Sequence, residues 1–545
     1  MTAMKTAFRF LTAMAALAVT VVSCNVVPQF GSAPVEKIIR AMSIEDKAAM
    51  VVVYSSDGCT HAVPEMGIPS VVFQGKDFEP ALSEPMLAQT WNVMLAAESG
   101  RAAAGEMISH GADCFTPSWS GTSPCAYSAN AVLSGRMSSA LIDGIRSAGA
   151  GSFLDCSCAG SRMASALNSP WAVFAEYDSL YDRAREIREQ WNCQGLIATH
   201  GTGNVKAWEM ILAGYDMVFT SQQTAVSGIV EAVENVNLDE DVLDAAVARV
   251  LEFVMRSTGQ RDGSEPALSV RPDLNAEIAA QSVVLLKNDG TLPYSGNVRN
   301  IALYGPESYF SNLDGTLLAS GFRLDPSITS MYARHSSERE MNESMLRKPY
   351  QLRADAIGNE AALVVIGRQM GGESVLSDPE RQLVSDVCDA FHSKNRKVTV
   401  LLSTPVPVET ESWESCADAV IQTVCLSRES DQAVSDIISG RKWPSGRLAG
   451  EWPSYPFGYG LSYTAFTYSD DVCMSAGGRT TMSVKVTNSG NAAGMHSVLF
   501  YDTASEPENL LGFAKTGILE PGESQIVELT VADSVPQAVV GPLFF

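Results

Sequence analysis

The feature that most limits how this chain can fold is an alternation. From Val35 to about Met255, short apolar runs are separated by amphipathic stretches such as Leu87–Ser109 and Ala131–Ser147. The runs are Met50–Tyr54, Ser70–Phe73, Cys114–Thr116, Ser152–Leu154, Ala172–Phe174, Leu196–Ala198 and Met217–Phe219. Strands without a polar face belong in a sheet buried on both sides, and parallel neighbours need a helical crossover between them. About seven such strands in one succession point to a (β/α) barrel, complete or shortened. A polar hinge, Arg256–Asn275, follows. The alternation then resumes at Asn300–Tyr304, Leu363–Ile366, Val398–Leu402 and Ala419–Thr423, which predicts an open α/β sheet. From Thr480 the period changes to two, as in Met482-Ser-Val-Lys-Val-Thr and Gln525-Ile-Val-Glu-Leu-Thr-Val, the mark of a small antiparallel β-sandwich.

Composition narrows the partners. A chain of 545 residues has room for roughly three or four domains. With 46% hydrophobic and 18% charged residues it can bury large cores. A formal net charge of −24 excludes the basic surface that nucleic acid requires, and neutral polar ligands suit such a protein better. Six His and eleven Cys form no C-x-x-C pair, so no metal or other cofactor is expected. Most of the cysteines read as small buried apolar residues.

The N-terminus carries Lys5 and Arg9, then the apolar run Phe10–Val22, then Val21-Val22-Ser23-Cys24. A basic segment before a short apolar one reads as a signal peptide rather than a membrane span. Its end resembles a bacterial lipobox, which implies acylation of Cys24 and a lipid tether to the membrane. The other reading is ordinary secretion with an incidental cysteine. The expected location is the bacterial cell envelope.

Several ordered motifs resemble glycoside hydrolase family 3, the β-glucosidase and β-xylosidase class. They are Ser282-Val-Val-Leu-Leu-Lys-Asn-Asp-Gly-Thr-Leu-Pro, Ile301-Ala-Leu-Tyr-Gly-Pro, Pro444-Ser-Gly-Arg-Leu, Tyr455-Pro-Phe-Gly-Tyr-Gly-Leu-Ser-Tyr-Thr-Ala-Phe, Val486-Thr-Asn-Ser-Gly-Asn-Ala-Ala-Gly and Leu511-Gly-Phe. Weaker matches, including Gly67-Ile-Pro, Thr90-Trp91-Asn92 and Ala213-Gly-Tyr-Asp, extend the resemblance over nearly all of the chain after the signal peptide. It implies an α/β multidomain fold: a shortened (β/α)8-like barrel, then an α/β sandwich domain, then a fibronectin type III-like β-sandwich. The expected boundaries are signal peptide 1–23, tether 24–34, barrel 35–255, linker 256–275, α/β sandwich 276–450, connector 451–479 and β-sandwich 480–545.

The resemblance also implies hydrolysis of terminal β-linked sugars with retention, so that a glycan or small β-glycoside is the partner. An Asp at a barrel strand end attacks the anomeric carbon and a Glu from the second domain protonates the leaving oxygen, the pair standing about 5–5.5 Å apart. This chain departs from that pattern. Its strand reads Gly195-Leu-Ile-Ala-Thr199-His200-Gly201, so His200 holds the nucleophile position. The sugar-gripping Asp-Gly reads Gln74-Gly75, the Lys-His pair reads Asp155-Cys156, and the Arg-Trp-Gly-Arg segment has no counterpart. Glu373, in Gly367-Arg-Gln-Met-Gly-Gly-Glu373-Ser374, is the candidate acid/base after a one-residue shift. Gln74, Asp155, Glu176 and Tyr177 are the candidate substrate contacts. Glu176 and Asp178 could supply a substitute carboxylate, and Trp119 or Tyr177 could stack on a sugar or pack in the core. Three readings follow: a weakly active or inactive glycosidase-like protein, a working β-glycosidase using a displaced carboxylate, and a non-catalytic glycan-binding or structural lipoprotein.

Overall fold

The structure is a computed structural model that describes residues 27–73, 83–116, 126–156, 172–178, 183–201, 205–258, 273–294, 296–368, 372–424, 427–502, 509–531 and 538–540. The chain divides into two compact units, one comprising residues up to 72 with 198–259, the other 73–197 with 260–545. It is an α/β multidomain protein.

In the first unit, strand Val52–Tyr54 pairs in parallel with Met217–Thr220, which pairs in parallel with the end of Leu196–His200. The pairing Thr199↔Val218 and His200↔Phe219 fixes His200 at the carboxyl end of its strand. Helix Ile44–Met50 starts where the Ser43 side chain caps the Asp46 amide. It stops before Val52, so Met50 belongs to the helix and not to the strand expected there. The long helix Glu240–Thr258 buries Leu243, Val247, Val250, Leu251 and Val254, one face at helical spacing. Lys47 is buried and neutralised by Glu240 at 2.7 Å and Asp244 at 2.6 Å, which pins the two helices together.

In the second unit, the stretch expected as one amphipathic segment from Leu87 is broken at Trp91. That residue has φ 49° and ends helix Glu84–Thr90, and Asn92 then caps helix α1 (Val93–Ser109). Trp91 is fully buried between Phe457 and Phe513, with ring centroids 5.1 and 5.0 Å away, and its Nε1 donates to the Arg447 carbonyl at 3.2 Å. Tertiary packing thus overrides the helical pattern. Helix α1 lies against α2 (Ala131–Ser147) at two glycines: a Cβ on Gly100 would sit 2.0 Å from the Leu141 oxygen, and one on Gly144 would sit 2.0 Å from the Ala97 oxygen. Strands Leu154–Asp155 and Ala172–Phe174 pair in parallel, placing Asp155 beside Phe174. The expected strands at Ser70–Phe73 and Cys114–Thr116 are reduced to single bridges at Val72, Phe73 and Cys114.

The main sheet of this unit contains β1 (Val284–Asn288), β2 (Asn300–Tyr304), β3 (Arg323–Leu324), β4 (Ala361–Gly367), β5 (Lys397–Ser403) and β6 (Ala419–Thr423), in the order β1-β6-β5-β4-β2-β3. All pairings are parallel except β1 with β6. Every residue of β4 and β6 is buried, as continuous apolar runs require. Helices α3 (Asp378–His392) and α4 (Arg428–Ile438) follow β4 and β6. The chain leaves β2 toward β3 on one side and returns to β4 on the other. That reversal is the topological switch point, at the carboxyl ends of β2 and β4, where open α/β sheets bind ligands.

The C-terminal part consists of two three-stranded antiparallel sheets. One is β7 (Phe466–Ala476), β8 (Arg479–Asn488) and β11 (Ser524–Val531). The other is β9 (Ser497–Asp502), β10 (Asn509–Lys515) and β12 (Ala538–Val540). Met482, Val484, Val486, Val498, Phe500, Val527 and Leu529 form their shared core. The pairing begins at Phe466, within the stretch read from sequence as a connector. Strand β7 is an edge whose residues from Ser469 onward are exposed, so it carries no period-two pattern.

Candidate active site

The candidate residues lie on strand ends and the loops after them. His200 is half-buried at the end of its strand, edge-on to Phe219 with ring centroids 6.1 Å apart. The next residue is held tightly: the Gly201 amide donates to the Phe219 carbonyl at 2.7 Å, and a Cβ there would lie 2.9 Å from Thr220 Oγ1.

In the second unit, Asp155 is half-buried at the end of its two-residue strand. The following Cys156 amide donates to the Phe174 carbonyl at 2.7 Å, and Arg183 Nη2 donates to the Cys156 carbonyl at 2.9 Å. Burial pushes the Cys156 thiol well up, so it stays protonated. Glu176 and Asp178 are exposed and Tyr177 is half-buried just beyond strand Ala172–Phe174. Parallel pairing of the two strands therefore brings Asp155 and the Glu176–Asp178 segment to neighbouring strand ends. Gln74, Trp119, Cys24 and the signal peptide lie outside the described residues.

Glu373 lies in the loop after β4 with its carboxylate exposed. The loop is organised by residues that the sequence reading passed over. Arg368, directly after β4, donates to the carbonyls of Gly367 at 2.7 Å, Glu373 at 3.1 Å and Val375 at 3.3 Å. Its guanidinium also grips Glu380 through both oxygens, at 2.7 and 2.6 Å. Glu380 further accepts from the Tyr309 hydroxyl at 2.9 Å and from the Ser377 amide and hydroxyl at 2.9 and 3.0 Å. Burial alone would raise the Glu380 carboxyl, but the Arg368 guanidinium, the Ser377 amide and the Tyr309 hydroxyl outweigh it and hold it below the usual glutamate range. Burial and the neighbouring carboxylate push the Tyr309 phenol up, so it remains a donor. From the other side, the Glu409 amide donates to the Ser374 carbonyl at 2.7 Å.

This brace sits at the carboxyl ends of β2 and β4, where the packing is close. A Cβ on Gly305, after β2, would meet the Val365 oxygen at 2.6 Å, and one on Gly367 would meet the Tyr309 ring at 2.6 Å. The signal that could have found it is Ser377-x-x-Glu380 before an apolar run, a capping box at the start of α3. Among the described residues no three His, Cys, Asp or Glu side chains cluster so as to hold a metal ion.

Residues 283–479, spanning the sheet and the brace, match the glycosyl hydrolase family 3 C-terminal domain. This match and the relatives that follow all indicate glycoside hydrolase family 3. A thermostable beta-glucosidase B of Acetivibrio thermocellus is 25% identical, aligned over 91% of this chain and 82% of that protein. A beta-xylosidase of Formosa agariphila is also 25% identical, over 49% of this chain and 46% of that protein. Among solved structures, beta-glucosidase 3B from Thermotoga neapolitana in complex with glucose superposes with a TM-score of 0.78 at 23% identity, covering 91% of this chain and 93% of that one. A family 3 beta-glucosidase of Bifidobacterium adolescentis gives 0.71 at 18% identity, covering 90% and 89%. At such identities the likeness is one of fold.

Proposed function

We propose that this chain keeps the family 3 β-glycosidase scaffold but hydrolyses terminal β-linked sugars weakly or not at all, because the nucleophile position is His200. The observation that carries the reading is His200 at the carboxyl end of a buried parallel strand, the place from which the family's Asp attacks. A carboxylate there both forms the covalent intermediate and faces the positive charge that develops on the sugar ring. A neutral imidazole supplies no such charge. Glu373 is the proton donor in this reading, presented by the Arg368–Glu380 brace, and Gln74, Asp155, Glu176 and Tyr177 contact the glycan. The finer architecture, a shortened barrel and a fibronectin type III-like end domain with the boundaries given above, belongs to the same proposal. So does a lipid on Cys24 holding the protein in the bacterial cell envelope.

The test is kcat/KM on an activated aryl β-glucoside and β-xyloside for the parent, His200→Ala, His200→Asp, Glu176→Gln and Asp178→Asn. Loss of the nucleophile costs orders of magnitude rather than a few-fold. His200→Asp alone should gain little, since positioning errors of about 1 Å cost around 100-fold and the other sugar contacts still depart from the family pattern. Parent turnover of about 1–10 s⁻¹, ordinary for an enzyme, overturns the proposal. In that case the variant that abolishes turnover identifies the group used. Product stereochemistry separates the mechanisms: retention means a protein group, a displaced carboxylate or His200, acts as nucleophile, and inversion means water attacks directly.

A further inference from the structure

Cys388 and Cys416 stand apart from the other cysteines. Cys388 is buried on α3, and Cys416 is half-buried at the end of the short turn Glu414–Cys416 that leads into β6. Each thiol acts on the other's proton affinity, raising it at Cys388 and lowering it at Cys416. A second contact joins the same two segments. His392 follows Cys388 by one helical turn, so both occupy one face of α3, and His392 Nε2 lies 2.8 Å from Asp418 Oδ2, two residues beyond Cys416. Asp418 is fixed in turn by Lys397 Nζ at 2.7 Å and by the Val398 amide at 2.9 Å. The turn itself is tied down: Cys416 Sγ donates to the Trp413 carbonyl at 3.0 Å, Trp413 Nε1 to the Glu409 carbonyl at 2.7 Å, and Lys287 Nζ to the Glu414 carbonyl at 3.0 Å. The two segments that carry the thiols are thus held side by side by a framework that does not depend on the sulfurs.

We propose that Cys388 and Cys416 form a redox pair that closes to an intramolecular disulfide on exposure to a small-molecule disulfide oxidant, stapling α3 to the turn before β6. Cys416 is the attacking sulfur. It is the more accessible of the two. The neighbouring Cys388 lowers its pKa most, to about 7, and its own backbone amide and the Lys287 ammonium favour the thiolate further. The neighbouring Cys416, with burial, pushes the Cys388 thiol up. With oxidised glutathione, the Cys416 thiolate displaces one glutathione thiolate and forms a mixed disulfide. Cys388 then loses its proton to solvent and its sulfur attacks Cys416 Sγ, expelling the second glutathione. Two protein thiols are oxidised and one glutathione disulfide is reduced to two thiols. Asp389 and Asp418 also face the pair and oppose thiolate formation at Cys388, which makes Cys416 the first to attack and slows the resolving step.

The experiment uses the full-length chain. It is reduced, freed of reductant, treated with oxidised glutathione, denatured in alkylating agent and digested with trypsin without reduction. The expected product joins peptide Gln382–Lys394 to peptide Val398–Arg428 and is two hydrogens lighter than the separate peptides. The second peptide also contains Cys425, so Cys416→Ser and Cys425→Ser are run in parallel. The proposal requires the link to vanish in Cys416→Ser and persist in Cys425→Ser. Fragmentation of the linked parent peptides places the sulfur even if one variant fails to fold. A link that survives Cys416→Ser, alkylation of Cys388 after oxidation in the folded protein, or arrest at glutathionylated Cys416 each overturns it.

Discussion

Replacing Glu380 with Gln should be the most damaging single change to the loop that carries Glu373, and its cost can be worked from the geometry. Glu380 and Arg368 have side chains only 2% and 11% exposed, so solvent screens their attraction little. Breaking a buried pair by removing one charge costs about 3–5 kcal/mol, because the remaining charge stays buried. Arg368 keeps three carbonyl acceptors, which places the loss at the lower end, about 3 kcal/mol. The amide nitrogen of Gln faces a donor nitrogen of Arg368 in either orientation, and in place of Oε2 it also forfeits one arm of the capping box. A chain of several domains does not unfold in one step, so the readout is amide exchange resolved along residues 372–383. A loss of that size lowers protection there roughly a hundredfold, at tenfold per 1.4 kcal/mol. The pH dependence has a definite sign. The folded Glu380 carboxyl lies below its unfolded value near 4.3, so its stabilisation is complete above that pH and is lost as pH falls through the lower folded value. The gap between parent and Glu380→Gln should therefore be full at pH 7 and narrow in acid. Equal protection at pH 7, or a gap that widens in acid, would refute the argument.

Two further outcomes test the packing. Gly100→Ala should lower the melting temperature of the second unit, since its Cβ would enter the Leu141 carbonyl at 2.0 Å and overpacking costs about 1–3 kcal/mol even where side chains alone must give way; an unchanged melt would mean that α1 and α2 separate freely. Lys515 is buried against the carbonyls of Thr90 at 2.7 Å and Ser445 at 3.1 Å, and burial, with Arg447 beside it, lowers its pKa to about 7. Between about pH 7 and 10.4 the unfolded chain binds this proton and the folded chain does not, so stability rises with pH across that window. Denaturant midpoints should move in favour of the parent over Lys515→Met between pH 7 and 9, and parallel curves would contradict the assignment.

The sequence was most legible where burial is two-sided. Asn300–Tyr304 and Ala419–Thr423 were read with the limits the structure gives, and Leu363–Ile366 and Val398–Leu402 lie inside β4 and β5. A strand covered on both faces must be apolar throughout, so its residues declare it. The misses share the opposite cause. Strand β7 is solvated on an edge and is bulged at Asp470 and Asp471, and its sequence Ser469-Asp-Asp471 looks like a turn. At Trp91 the local pattern is helical, but a large ring seated between Phe457 and Phe513 is worth more than the helical bonds it interrupts.

The candidate site divides in the same way. A residue type at a strand end can be read directly, which is how His200 stands out against the family pattern. The group that presents Glu373 cannot, because Arg368, Tyr309 and Glu380 are separated in sequence and meet only when β2 and β4 lie side by side. Each is polar and buried, and an apolar trio of similar volume would be as stable or more so. What the ion pair adds is direction: five donors in a plane fix where the carbonyls of residues 367, 373 and 375 point, and with them the course of the loop. A loop so constrained holds the Glu373 backbone in one place. In the proposed reading, the departure from the family pattern lies at His200, while the loop of Glu373 is braced by Arg368 and Glu380. On that proposal, binding or protonating a glycosidic oxygen asks less of this chain than attacking the anomeric carbon.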